Sequence, residues 1–432
     1  MAIAATGPSR GIAICLLSAT VLLASGCGGG SSVDLPVTKV ARRLPAVRGL
    51  HFKRIPEVRL VSRSDYQKAA RRELAAEESR LPAPDRARMR RRQSEIPVSR
   101  DLAVLLGLLP HRPSTREIDQ VVQFGGLYDG RANRIYLIQD AIGHDRRAAE
   151  VVLSHELTHA LEEESFGPGR SQFTSAFAEA GDAEQALREG TATLTETRYG
   201  IRYLGVKGPV SALLQPAPQP FTTNRLALLA NKDVAFLYSS GALFAEALYR
   251  RGGWPLVNRA LRHPPRTEAT ILDPRRWPGR DRSRPPSGSA GAVLRNGWTR
   301  TVAGDFGAFS TDELLFETAP REALDRLVRH WAGGRIELWR RRGAPATTGS
   351  PSRRSSTVVV QWRWRGSADT PAARAAVGAY LVGTFHAAAV ARDAWRWGDG
   401  AAAYASSGDS SALVLAPTPG LASAVAAPTA RP

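Results

Sequence analysis

The chain has 432 residues, 43% hydrophobic and 23% charged, proportions that exclude a fibrous or mostly disordered protein and allow about two or three domains. Basic residues outnumber acidic ones, 59 to 40, for a formal net charge of +19, yet only five of the 59 are Lys. An excess so dominated by Arg fits GC-rich codon usage better than a nucleic-acid surface, so no nucleic-acid partner is expected.

In chain order, residues 1–26 read as a signal peptide: Arg10, then an apolar run over 11–25 that is too short to span a membrane. Leu23-Ala24-Ser25-Gly26-Cys27 resembles the lipobox of bacterial lipoproteins, with Leu23 one place further from the cysteine than usual. The resemblance implies lipidation of Cys27 and an extracytoplasmic protein anchored to the bacterial cell membrane. Cys15 and Cys27 are the only cysteines, so the mature chain has no internal disulfide. Residues 27–56 read as a tether and an irregular or extended lead-in. Residues 64–93 read as helix broken at Leu81-Pro82-Ala83-Pro84, the basic run from Arg86 to Arg92 being a solvated face. Strands over 121–128 and 134–138 flank the turn Asp129-Gly130-Arg131-Ala132-Asn133 and make a hairpin. Helices follow over 148–164, 183–199 and 224–251, with loops at Gly167-Pro168-Gly169 and over 278–292. Further on come a largely helical stretch over 307–333, strands over 335–339 and 357–362, a helix over 371–393 and a strand over 412–416.

The chemistry concentrates in the helix over 148–164, which contains His155-Glu156-Leu157-Thr158-His159. Histidines at i and i+4 stand one turn apart on one face, so both imidazoles reach a single ion. Glu156 projects to the same rim without having to ligate, which sets a general base beside a zinc-bound water. Val151, Val152, Leu153 and Leu157 give the helix apolar surface to bury. Zinc in a catalytic site needs a third protein ligand. A third histidine further along the motif is excluded by Glu162 and Ser165, so a carboxylate from a second helix is expected. Glu189 supplies it, beside small residues Ala186, Gly190 and Thr193, a ridge expected to let its helix approach the metal helix. Glu184, Asp182 and Glu179 are rival ligands.

These residues resemble the gluzincin metallopeptidases, the thermolysin-like clan, and more closely a group of prokaryotic surface proteins and lipoproteins with zinc-peptidase domains. The resemblance runs through Gly126-Leu127-Tyr128-Asp129, His155 to Leu161, Ala186 to Ala192, Tyr238 to Phe244, Gly252-Gly253-Trp254 and Pro264-Pro265, covering roughly residues 57–278. It implies a zincin-like domain with one zinc ion, His155, His159 and Glu189 as ligands and Glu156 as general base. It also implies that the hairpin supplies an edge strand on which an extended peptide pairs. The clan carries an Asp four residues after its glutamate ligand to orient a histidine; here that position is Thr193. Tyr238 is the candidate for stabilising the oxyanion, with Tyr199, Tyr203 and His263 as alternatives.

All nine tryptophans fall in the second half, and Trp362 and Trp364 alternate with Arg363 and Arg365, as on a strand with one buried face. The fold class expected is α+β: a mainly helical zincin-like domain over 57–278 with a small hairpin or sheet, and a linker or loop over 279–297. A smaller α+β module over 298–416 and a disordered tail over 417–432 complete it. The function expected is a membrane-anchored zinc metallopeptidase acting on peptide or protein substrates. The alternatives are a non-catalytic cell-envelope scaffold that keeps the fold, and a metal hydrolase acting on a non-peptide bond.

Overall fold

The computed structural model describes residues 35–68, 81–121, 125–142, 146–206, 224–344 and 350–432. The signal sequence and Cys27 lie outside the described residues, as do residues 69–80 of the first expected helix. The fold is mixed α+β, with a three-stranded and a seven-stranded sheet among the described residues. No helix among them is long and apolar enough to cross a membrane.

The small sheet comprises β1 (Glu57–Val61), β2 (Gly126–Asp129) and β3 (Arg134–Ile138), in the order β1-β3-β2. β3 pairs parallel with β1 and antiparallel with β2. The expected hairpin is present, but its first strand starts at Gly126, because Val121 ends a short helix, Thr115–Val121. The lead-in is not extended: α1 (Val37–Arg43) and the turn of helix Pro45–Arg48 occupy it. α1 is anchored by charge, since Lys39 Nζ and Arg43 Nη1 reach Glu150 at 2.8 and 3.1 Å. The next long helix, α2 (Ala83–Leu105), starts at the expected proline break and runs through Pro97.

Two helices carry the motif residues, α3 (Arg146–Phe166) and α4 (Glu179–Tyr203). Every residue of α3 from 149 to 158 is buried. Val152, Leu153, Leu157 and Leu161 pack on Ile135 to Ile138 of β3 and on Val40 and Leu44 of the N-terminal helices. α5 (Gly241–Arg262) crosses α4 and is interrupted at Gly252 and Gly253, the latter with φ of +61°.

The seven-stranded sheet runs β4-β5-β6-β10-β9-β8-β7 and is antiparallel throughout. Its strands are β4 (Trp298–Asp305), β5 (Trp331–Arg341), β6 (Ser356–Trp364), β7 (Ala388–Ala391), β8 (Ala394–Trp397), β9 (Gly400–Ser407) and β10 (Ser410–Ala416). The alternation along β6 holds: Trp362 and Trp364 are buried on one face, ring centroids 6.0 Å apart. The helix expected over 371–393 ends earlier, as α8 (Thr370–Phe385, after α6, Ala308–Leu315, and α7, Arg321–His330), and its expected last turns belong to β7. The tail is not disordered. Thr418 caps α9 (Pro419–Thr429), and Ala422, Val425 and Ala426 bury themselves against Val359, Ala403 and Val414 of the sheet. A run of Ala with Leu and Val is an apolar helix face once a sheet is present to receive it.

The interval 279–297 does not separate two cores. Leu102 to Leu105 of α2 and Phe177 share one buried cluster with Trp331, Trp362 and Tyr380 of the C-terminal part. Glu268 is one of the polar ties across this junction. It accepts the Phe309 and Ser310 backbone N–H groups at 2.8 and 3.0 Å, at the start of α6.

Burial pushes the Glu268 carboxyl up to about 7, against the hydrogen bonds from Ser310 and Phe309 that hold it down. A carboxyl whose folded pKa is raised favours the folded state while neutral, so its contribution is complete below the unfolded value and is lost as pH climbs through the folded one. The thermal midpoint is therefore expected to fall as the pH rises from about 5 to about 8. Glu268→Gln, which keeps the acceptor oxygen, should flatten that fall; calorimetry across the range checks it.

Candidate metal centre

α3 and α4 pack side by side, and their facing turns bring three donor atoms together. His155 Nε2 lies 3.2 Å from His159 Nε2 and 3.3 Å from Glu189 Oε2, and His159 Nε2 lies 3.5 Å from the same oxygen. Among the described residues this is the one group of His, Cys, Asp or Glu side chains able to hold a metal ion. Four ligands at about 2.0–2.1 Å in a tetrahedron stand about 3.3–3.4 Å from each other, which is the spacing of this triangle. The residues therefore fit a divalent cation with a fourth position open.

The electrostatics point the same way. Burial alone would depress the His155 imidazole, but the Glu189 and Glu196 carboxylates outweigh it and raise its pKa well above the ordinary value. Burial likewise raises Glu189, and His159 and His155 more than reverse it, holding that carboxyl below its usual range. Two imidazole nitrogens and a carboxylate at these distances require positive charge between them, as a proton or as a metal ion.

The surroundings orient each ligand. Glu196 Oε2 lies 3.0 Å from His155 Nδ1, so a neutral His155 donates there and turns its Nε2 lone pair to the ion. Gln185 Nε2 donates to Glu189 Oε1 at 2.8 Å, leaving Oε2 for the centre. Sequence reasoning named neither residue. Their signal is helical spacing: Gln185, Glu189 and Glu196 stand at i−4, i and i+7 on one face of α4. Thr193 does not take the orienting role, because its buried hydroxyl makes no hydrogen bond.

Glu156 is buried next to His155, and burial raises its carboxyl, opposed by His155 and His159. The Tyr128 backbone N–H of β2 lies toward this carboxylate and acts to lower its pKa, the smallest of the influences on it. Gly126 leaves no room for a side chain: a Cβ there would stand 2.9 Å from Glu156 Cγ and from Val152 Cγ1.

Tyr238 also reaches the centre. Its ring centroid is 5.9 Å from that of His155, and burial first, then the Glu189 and Glu156 carboxylates, push its hydroxyl well above its ordinary pKa. It sits in a π-helical turn, Ala235–Ser240, whose wider winding moves side chains off the α-helical register. The alternatives lie elsewhere. Tyr199 donates to Glu150 at 2.6 Å, Tyr203 packs on Tyr199, and His263 caps the far end of α5.

The small ridge on α4 faces a different partner from the one expected. A Cβ on Gly190 would stand 2.1 Å from the Gly241 backbone, and one on Gly241 would stand 2.0 Å from the Ala186 carbonyl oxygen. Ala186 and Gly190 thus let α5, not the metal helix, approach α4 backbone to backbone, and this contact lowers the Tyr238 turn onto Glu189. The rival ligands are engaged away from the centre. Glu184 accepts the Arg170 N–H at 3.1 Å, Glu179 accepts the Glu268 N–H at 3.1 Å, and Asp182 lies by Arg92.

Glu196→Gln should weaken zinc binding by about 10–100-fold, while Thr193→Ala leaves it within about twofold. Competition against a chromophoric chelator measures both.

No protein-family model, curated protein or solved structure matches the chain.

Proposed function

We propose that the chain is a zinc-dependent metallopeptidase of the gluzincin type, held at the outer face of the bacterial cell membrane through a lipid on Cys27. The observation that carries this reading is the triangle of His155, His159 and Glu189 with Glu156 beside it and one coordination position left over. A zinc ion in this setting polarises a carbonyl and lowers the pKa of a water to about 7.

The other parts of the chemistry belong to side chains and backbone. Glu156 takes the proton of the attacking water on its carboxylate and passes it to the leaving amine. Its raised pKa suits both tasks. The Tyr238 hydroxyl, already at Glu189, has the reach to donate to the oxyanion that forms on the scissile carbonyl.

The edge of β2 suits an extended substrate. Ile138 N donates to Gly125 O at 2.9 Å, so the alternation of an antiparallel pair turns the Leu127 and Asp129 backbone groups to β3. The Gly126 and Tyr128 groups then face the open edge, where the Tyr128 N–H meets Glu156. A peptide paired there runs past the general base, its backbone read by hydrogen bonds rather than by sequence.

The test is hydrolysis of an unfolded protein or a mixed peptide pool by zinc-loaded protein. Glu156→Gln should keep stoichiometric zinc and lose about 10²–10⁴-fold in turnover. Tyr238→Phe should lower kcat about 10²–10³-fold with KM little changed. Stoichiometric zinc with no cleavage of any peptide by the wild type would instead mark a scaffold that keeps the fold.

A further inference from the structure

On the far side of the Tyr238 turn, between that turn, α6 and α7, lies a pocket of ≈ 350 Å³ that shares no residue with the metal centre. Its size falls within the range of small-molecule sites. Phe236 and Phe309 form part of its wall, stacked with centroids 4.3 Å apart, and Leu272 and Val328 extend the apolar surface.

Its charges do not balance. Lys232 is matched by Asp312 at 2.5 Å, and Arg321 by Asp325 at 3.0 Å. Asp273 is bound on both oxygens by Arg275, which is not part of the wall. Two guanidinium groups remain. Arg276, only 8% exposed, donates from Nη1 to the Trp331 carbonyl at 3.2 Å and makes no direct ion pair among the described residues, with Asp273, Glu179 and Asp281 acting on it only at longer range. Arg329, exposed on the last turn of α7, has none either. A guanidinium so far removed from water is costly without an anion, and burial holds Arg276 below its usual pKa.

We infer that this pocket binds a small organic anion, one carboxylate or phosphate group on an aromatic or aliphatic body, with the anionic head between Arg276 and Arg329 and the body against Phe236, Phe309 and Leu272. Bidentate pairing of Arg with planar oxyanions supplies the head contact, and the apolar wall supplies the rest. Phe236 and Tyr238 belong to the same π turn, so an occupant touches the element that carries Tyr238 without touching the metal ligands.

Calorimetric titration of the full chain tests this, after the metal is stripped and the chelator removed so that no carboxylate can coordinate an ion. Benzoate and phenylphosphonate separate the two head groups, and benzylamine and benzyl alcohol are the controls. At least one anion should bind at a single site with a Kd of about 1 mM, a reasonable yield for roughly ten heavy atoms. Both controls should bind at least about tenfold more weakly. Arg329→Ala, on an exposed position, should weaken the anion by about tenfold or more. Leu272→Glu, at a rim position 37% exposed, should do the same by adding negative charge. Equal affinity in wild type and Arg329→Ala, equal binding of benzylamine, or no saturation by either anion overturns the assignment. None of these results depends on peptide hydrolysis or on zinc.

Discussion

Two imidazole nitrogens 3.2 Å apart, with a carboxylate oxygen 3.3 and 3.5 Å from them, gather three donor atoms on side chains of which His155 and Glu189 are buried and His159 is partly exposed. Such an arrangement is stable only around positive charge, and much of the surrounding structure serves to keep it assembled. α3 is enclosed over most of its length, and that packing holds its histidine side chains in place. The fully buried Arg48 ties Pro45–Arg48 to Glu162 of α3 at 3.0 Å, and Thr191 of α4 donates to the same carboxylate at 2.8 Å. Arg48 also lies 4.3 Å over the Trp254 ring, so one buried cation joins the N-terminal helices, both metal helices and α5. Losing one partner of a buried ion pair costs about 3–5 kcal/mol, which makes this junction a strong determinant of helix register.

A second constraint is the close passage of α4 and α5. Gly190 and Gly241 meet without side chains, and the π turn Ala235–Ser240 leads directly into Gly241. Tyr238 therefore sits near Glu189 beside a close contact of two glycines that lie outside the cluster of His155, His159 and Glu189. The same turn borders the pocket that holds Arg276 and Arg329, so one irregular element lies between that pocket and the histidine cluster.

The ligand helix was legible in the sequence because 3.6-residue geometry converts an i, i+4 spacing directly into a shared face. Glu189 was legible because a zinc ligand set needs a third donor and the chain offers a glutamate on a following helix. The role of Glu196 was not, since a carboxylate two turns beyond the ligand is indistinguishable from a solvated one until the register of α3 against α4 is known. The small ridge was visible, but its partner was not: Ala186 and Gly190 announce a close approach without saying to what. In the fold, strands with strong β-branched content such as β6 could be read, whereas β7 and β9, rich in Ala, carry no period that separates strand from helix. α9 was missed for a related reason, because Ala and Pro composition resembles a disordered tail until a sheet face is there to bury it.

X-ray absorption at the zinc edge, on the full chain loaded with one equivalent of zinc, tests the central claim most directly. It should return two imidazole nitrogens and two oxygens at about 2.0–2.1 Å, with one imidazole lost in His159→Ala and one oxygen lost in Glu189→Ala. Zinc bound with the same coordination in both variants, or held only weakly with an all-oxygen shell, would contradict it.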